Sequence, residues 1–120
     1  MARVLVLEDD EQVRVLAEGI LQDNGHEVLT AGTREEALAL LKTDQQIDLL
    51  FTDIRLAGVD QDGLEVAQQA RALRPKIRAL YTTGAGVSDG TRALFVDGWV
   101  FLAKPYTPDD LIKAVGNALR

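Results

Sequence analysis

Five short aliphatic runs, each followed by a stretch with helical spacing, constrain this chain more than any other feature of its sequence. The runs lie at residues 4–7, 27–31, 49–52, 77–82 and 100–103. Four of them are strongly apolar, the pattern of parallel strands covered by helices on both faces. Between them, apolar residues recur at i, i+3 and i+4. Val13, Leu16, Ala17, Ile20 and Leu21 mark the expected inner face of a first helix. Thr33 with Glu36 reads as a capping box opening a second. Residues 64–73 give a third, stopped near Pro75, and residues 88–96 a weaker fourth with Gly90 near its start. Thr107-Pro108-Asp109-Asp110 opens a fifth: a Thr cap, Pro at the first helical position, then two acids facing the helix dipole. Leu111, Ile112, Val115 and Leu119 form its inner face.

The sum is a βα unit repeated five times in 120 residues, with no linker, low-complexity tract or internal sequence repeat, so residues 1–120 are expected to form one domain. Right-handed crossovers with helices on both faces make this a doubly wound parallel sheet. Such sheets bind ligands at the carboxyl ends of their strands, near the switch in strand order. At those ends stand Glu8 and Asp9 after strand one, Asp53 after strand three, Thr83 after strand four and Lys104 after strand five. Residues far apart in the chain are thus expected on one edge.

The chemistry of that set is specific. Carboxylates brought together repel, and one protonates unless a cation intervenes. Oxygen ligands without His or Cys favour a hard cation such as Mg²⁺. An Asp carboxylate can also act as a nucleophile and form an aspartyl phosphate, a reaction that needs mainly positioning and charge neutralisation. Mg²⁺, a Lys ammonium and a Thr hydroxyl would provide both. Taken singly, each residue has an ordinary reading: a solvated loop acid, a surface Lys, a strand-end Thr, and for Asp10 the cap of the first helix. The order of the whole set carries the signal.

Composition narrows the class. Hydrophobic residues make up 47% of the chain, ample for a core. Thirteen Lys and Arg against nineteen Asp and Glu give a formal charge of −6, which argues against a DNA-binding face. Cysteine is absent, so disulfides and thiolate metal sites are excluded. No apolar run approaches the roughly 18 residues of a membrane span. The first strand starts within three residues of the N-terminus, which leaves no room for a signal peptide, so the expected location is cytoplasmic.

The segments VLVLEDD, LLFTDIRLAG, DGLEVA, LYTTG and FLAKPYTPDDL together resemble the receiver domain of bacterial two-component response regulators, over essentially the whole chain. The resemblance implies a CheY-like, flavodoxin-like (βα)5 fold with strand order 2-1-3-4-5. It implies that Asp53 accepts a phosphoryl group from the phosphohistidine of a histidine kinase or phosphotransfer protein. Asp9 and Asp53 would ligate Mg²⁺, with Glu8 acting directly or through water and the Arg55 backbone carbonyl adding a ligand. Thr83 would contact the phosphoryl oxygens, Lys104 would pair with Asp53 and then with phosphate, and Phe101 matches the family's switch aromatic. The surface of helix four, strand five and helix five would carry the signal to a protein partner or output domain, with no DNA contact by this domain. The chain would be no enzyme beyond its own phosphorylation and dephosphorylation.

Some positions depart from the family pattern. Glu8 replaces the more frequent Asp and lengthens the reach to a metal. Ala57-Gly58 stands where Pro-Gly is usual, the segment AGVDQDG runs one or two residues long, and Ala85 occupies a site often aromatic. Gly84 and Gly86 resemble a glycine-rich loop, but there is no GxxxxGK motif and hence no nucleotide site. His26, the one histidine, reads as a turn residue, and Trp99 and Tyr106 serve either packing or docking. With no output domain after helix five, the effect is expected through a partner or a phosphate relay, unless the chain is a piece of a longer regulator. Two other readings compete: a Mg²⁺-dependent phosphohydrolase of the haloacid dehalogenase type, whose DxD motif is here Glu8-Asp9-Asp10, and an unphosphorylated pseudo-receiver scaffold.

Overall fold

The computed structural model describes residues 2–56, 62–84 and 87–120. Its elements alternate as the sequence pattern requires: β1 Arg3–Leu7, α1 Glu11–Asp23, β2 Glu27–Ala31, α2 Arg34–Leu41, β3 Leu49–Asp53, α3 Asp62–Leu73, β4 Arg78–Thr83, α4 Asp89–Arg92, β5 Val100–Ala103 and α5 Pro108–Ala118. The strands form one parallel sheet in the order β2-β1-β3-β4-β5. The order reverses between β1 and β3, so the switch point lies above the ends of these two strands.

Strand alternation sends successive side chains to opposite faces. Leu5, Leu7, Leu50, Ala79 and Tyr81 pack with α2 and α3 through Ala37, Leu41, Leu64, Val66, Ala67 and Ala70. Val4, Val6, Leu49, Phe51 and Leu80 pack with α1 and α5 through Ala17, Leu21, Leu111, Ala114 and Val115. Burial on both faces explains why the strand runs are continuously apolar rather than alternating.

The helix starts follow local chemistry. Asp10 caps α1 by accepting the Val13 N–H, and Thr107 and Asp110 form a reciprocal capping box on α5, with Pro108 at its start. Thr33 caps α2 through the Glu36 N–H, but the Glu36 carboxylate accepts from the Gly32 N–H at 2.9 Å instead of closing the expected box. The Lys104–Pro105 peptide bond is cis.

Two expectations need correction. The fourth helix spans Asp89–Arg92, not residues 88–96. Beyond it the Phe95 ring stacks on Tyr81 at 4.2 Å, Trp99 meets Phe95 edge-on at 4.8 Å, and the Tyr81 hydroxyl accepts the Val96 N–H. These contacts hold the chain past Arg92 in turns, and Gly90 inside α4 weakens the helix itself. On α1, Leu16 is 61% exposed rather than inward. At 100° per residue it lies about 120° from the buried face centred on Ala17 and Leu21. Ala57, Gly58 and the rest of 57–61, with Ala85 and Gly86, lie outside the described residues.

Candidate functional site

The backbone ladder continues one residue past two of the strands. The Glu8 N–H donates to the Ala31 carbonyl at 3.1 Å, and the Lys104 N–H to the Thr83 carbonyl at 3.1 Å. Alternation therefore still holds at those residues. Glu8 follows Val4 and Val6, Asp53 follows Leu49 and Phe51, and Lys104 follows Val100 and Leu102, all on the α1/α5 face. Three side chains from three strands meet there. The Lys104 Nζ donates to Glu8 Oε1 at 2.6 Å and to Asp53 Oδ2 at 2.7 Å.

Carboxylate oxygens of Glu8, Asp9 and Asp53 all lie within 4.8 Å of one another. Glu8 and Asp53 are buried and Asp9 is exposed, so the cluster opens to solvent on the Asp9 side. Asp53 is fixed at both oxygens, since the Arg55 N–H donates to Oδ1 at 3.1 Å while Lys104 holds Oδ2. Glu8 Oε2 accepts from the Asp10 N–H at 3.1 Å. An all-oxygen donor set with excess negative charge and one open side suits a hard divalent cation, as expected of Mg²⁺.

The electrostatics follow from this packing. Burial pushes the Glu8 carboxyl up from its ordinary value, and the hydrogen bonds from Lys104 and the Asp10 backbone offset that only in part. Partial burial pulls the Lys104 ammonium down, but its hydrogen bonds and charge contacts with Asp53 and Glu8 outweigh this and raise it to about 12. The ammonium thus stands in the anionic cluster where a metal would bring further positive charge.

Thr83 is buried at the end of β4 and pairs in register with Ala103. Phe101 is half-buried, pairs with Tyr81, and packs on the α2/α3 face. Thr83 and Phe101 therefore share a face on adjacent strands, two register positions apart. His26 lies in the turn after Gly25 and accepts from the Ala2 N–H at 3.3 Å, far from this edge in the fold. Tyr106 meets Phe51 edge-on at 6.1 Å on the α5 side, and Trp99 is 38% exposed.

Sequence reasoning assigned no role to Gly63. Its N–H donates to the Ile54 carbonyl at 2.9 Å, and a Cβ built on it would stand 1.8 Å from the Asp53 carbonyl oxygen. The first turn of α3 can lie against Asp53 only with glycine there. A glycine inside the first turn of an otherwise periodic helix was the available signal. Arg34 was also missed: its Nη1 reaches Asp62 at 2.6 Å and Glu65 at 2.9 Å, tying the start of α2 to that of α3.

Comparison with known proteins agrees with this geometry. A family profile described as response regulator receiver domain matches residues 4–116. The chain belongs to the response regulator receiver family. This receiver domain is 32% identical to the transcriptional regulatory protein AruR of Pseudomonas aeruginosa, over 98% of its own length and 49% of the relative's. It is 29% identical to the nitrogen assimilation regulatory protein NtrX of Azorhizobium caulinodans, over 97% of its length and 26% of the relative's. The chain therefore spans from about a quarter to about half the length of these curated relatives. Among solved structures it superimposes on a CheY-like receiver domain protein of Methanospirillum hungatei with a TM-score of 0.86 and 28% identity, covering 99% of this chain and 94% of that one. The chemotaxis protein CheY4 of Vibrio cholerae gives a TM-score of 0.86 at 27% identity, covering 99% of both chains. The doubly wound fold and the expected strand order agree with these neighbours. Nothing among the relatives favours a phosphohydrolase of the haloacid dehalogenase type. No helix among the described residues is long and apolar enough to cross a membrane.

Proposed function

We propose that this receiver domain, formed by residues 1–120, is a phosphorylation-controlled switch whose phosphoacceptor is Asp53. The observation that supports the reading best is Lys104 held between Glu8 and Asp53 beside the exposed Asp9. An Asp53 oxygen attacks the phosphorus of a donor phosphohistidine, carried by a histidine kinase or phosphotransfer protein. The P–N bond breaks, its electron pair stays on the imidazole, and Asp53 becomes a mixed carboxylic–phosphoric anhydride. Glu8, Asp9, Asp53 and the Arg55 carbonyl would hold Mg²⁺, which when bound neutralises carboxylate and phosphoryl charge. The Arg55 N–H orients the Asp53 carboxylate. Lys104 moves from a carboxylate partner to a phosphoryl oxygen, a contact its charge makes strong.

The readout rests on Thr83 and Phe101. A phosphoryl group on Asp53 adds charge and acceptor oxygens at the sheet edge. The Thr83 hydroxyl donates to one of them, and Phe101, on the same face, turns into the space released. The surface of α4, β5 and α5 then changes shape for a downstream partner or an output domain. A partner that binds both shapes equally transmits nothing, so the signal equals the difference in its two affinities. The reading includes a cytoplasmic location, no DNA contact by this domain, and no turnover of other substrates.

Incubation with acetyl phosphate and Mg²⁺, followed by intact mass measurement, tests the proposal. A stoichiometric gain of one phosphoryl group that needs Mg²⁺ is the expected result. Sustained turnover of a small phosphoester would instead indicate a phosphohydrolase, and no gain under any condition a pseudo-receiver scaffold.

A further inference from the structure

We propose that Arg14 is a positioning residue for the metal-binding turn and that Gly32 is the slot that admits its guanidinium. The inference rests on the assignment of Glu8, Asp9 and Asp53 as the Mg²⁺ site. Arg14 lies in the first turn of α1, where its N–H donates to the Asp10 carbonyl at 2.9 Å. Its Nη1 turns back and donates to the Glu8 carbonyl at 2.8 Å. Glu8 is thereby held at every polar group. Its N–H is tied to Ala31, its carbonyl to Arg14, and its carboxylate to Lys104 and the Asp10 N–H. The Glu8 carbonyl belongs to the peptide that leads directly into Asp9, the exposed member of the cluster. A bond at that carbonyl fixes the plane of the peptide, and so the direction in which the Asp9 carboxylate leaves the turn.

Gly32 supplies the second, independent observation. Among the described residues a positive φ occurs at Gly25 and Gly98, not at Gly32, so its backbone does not require glycine. What its missing side chain leaves is room. A Cβ there would stand 2.9 Å from Arg14 Nη1 and 3.5 Å from its Cζ, with Glu36 Oε1, which accepts the Gly32 N–H, at 3.4 Å. The guanidinium occupies the space a side chain would take. The tightest contact is with the far end of the flexible Arg14 side chain, and the Glu36 carboxylate at 3.4 Å is in ordinary contact, so a substitution at Gly32 displaces the guanidinium at little cost to the fold. Arg14 does not act by charge, since a cation near the cluster by itself opposes Mg²⁺ binding. Its contribution is geometric, as a residue that orients metal ligands without touching the metal.

Gly32→Val isolates this role because it keeps the Arg14 charge while closing the slot. Titration calorimetry with Mg²⁺ on the full chain, with urea unfolding run alongside, is the test. Gly32→Val is expected to weaken Mg²⁺ binding about tenfold, with folding stability close to wild type. In an Arg14→Met background the same Gly32→Val change is expected to have no further effect, because both changes remove one contact. Should Gly32→Val not fold, Gly32→Ala serves with a smaller loss in the same direction. The proposal is overturned if the Gly32 variants hold Mg²⁺ as tightly as wild type, or if the loss is equally large with and without Arg14. A wild-type protein that binds no Mg²⁺ overturns the metal-site assignment itself, and this inference with it.

Discussion

Removing the Lys104 ammonium while keeping its stem, as in Lys104→Met, leaves the buried carboxylates of Glu8 and Asp53 facing each other without their shared cation. Carboxylate oxygens of the cluster lie within 4.8 Å of one another, and two unit charges at that limit repel by about 3 kcal/mol at an effective dielectric of about 20. In the wild type that repulsion is offset by the ammonium, 2.6 Å and 2.7 Å from its two partners. The rise of Lys104 from 10.5 to about 12 corresponds to about 2 kcal/mol in favour of the charged form. The ammonium is partly exposed, and solvent screening lowers this to between about 1 and 2 kcal/mol. A raised lysine contributes stability that is complete below its unfolded value of 10.5 and lost as pH rises through about 12, so the contribution is whole at pH 7. Lys104→Met should therefore lose about 1–2 kcal/mol at pH 7 without Mg²⁺. Saturating Mg²⁺ should return most of it, because the metal then enters an anionic cluster with no ammonium to compete against. Urea unfolding followed by circular dichroism, with and without Mg²⁺, measures both quantities. A metal-free loss under about 0.5 kcal/mol, or a loss that Mg²⁺ leaves unchanged, would refute the reasoning.

Three further predictions follow from the site. Gly63→Ala must push α3 away from the Asp53 carbonyl or move Asp53 itself, so it should cost about 2–3 kcal/mol and slow phosphoryl acceptance; urea unfolding and the rate of mass gain read the two effects. Glu8 takes up a proton more readily in the folded chain than in the unfolded one, so Mg²⁺ affinity should fall as pH drops from neutrality toward its raised value, while the metal-free fold gains stability over the same window; calorimetric titrations and unfolding curves at several pH values check both signs. Thr83→Ala should bind beryllofluoride, a phosphoryl mimic, yet show smaller amide shifts than wild type around Phe101 and β5, and identical shifts in the two proteins would exclude Thr83–Phe101 coupling.

Much of the site could be read from the sequence because strand ends are marked locally and a parallel sheet gathers them by topology. An apolar run that stops at Glu8, Asp53 or Lys104 needs no tertiary information to be placed at the carboxyl edge. What the sequence hides are contacts that depend on how two elements meet. Gly63 reads as a weak helix residue until α3 is laid against Asp53. Arg14 reads as a solvated helix residue until its guanidinium is seen returning over Gly32. The helix expected over residues 88–96 ends at Arg92, because the Phe95 ring beyond it stacks on Tyr81 from another element. Leu16 satisfied the spacing rule on the wrong side of the buried stripe, because a template of i, i+3 and i+4 marks a face without fixing its centre.

The central claim is that Asp53 carries the phosphoryl group. It is tested most directly by treating the protein with acetyl phosphate and Mg²⁺, reducing it with borohydride, and mapping the peptides. Borohydride converts an aspartyl phosphate to homoserine, so the modified residue is marked permanently. The account predicts homoserine at position 53, only with Mg²⁺ present, and none anywhere in the Asp53→Asn variant. Homoserine at another aspartate of the wild type, or at position 53 in equal yield without Mg²⁺, would contradict it.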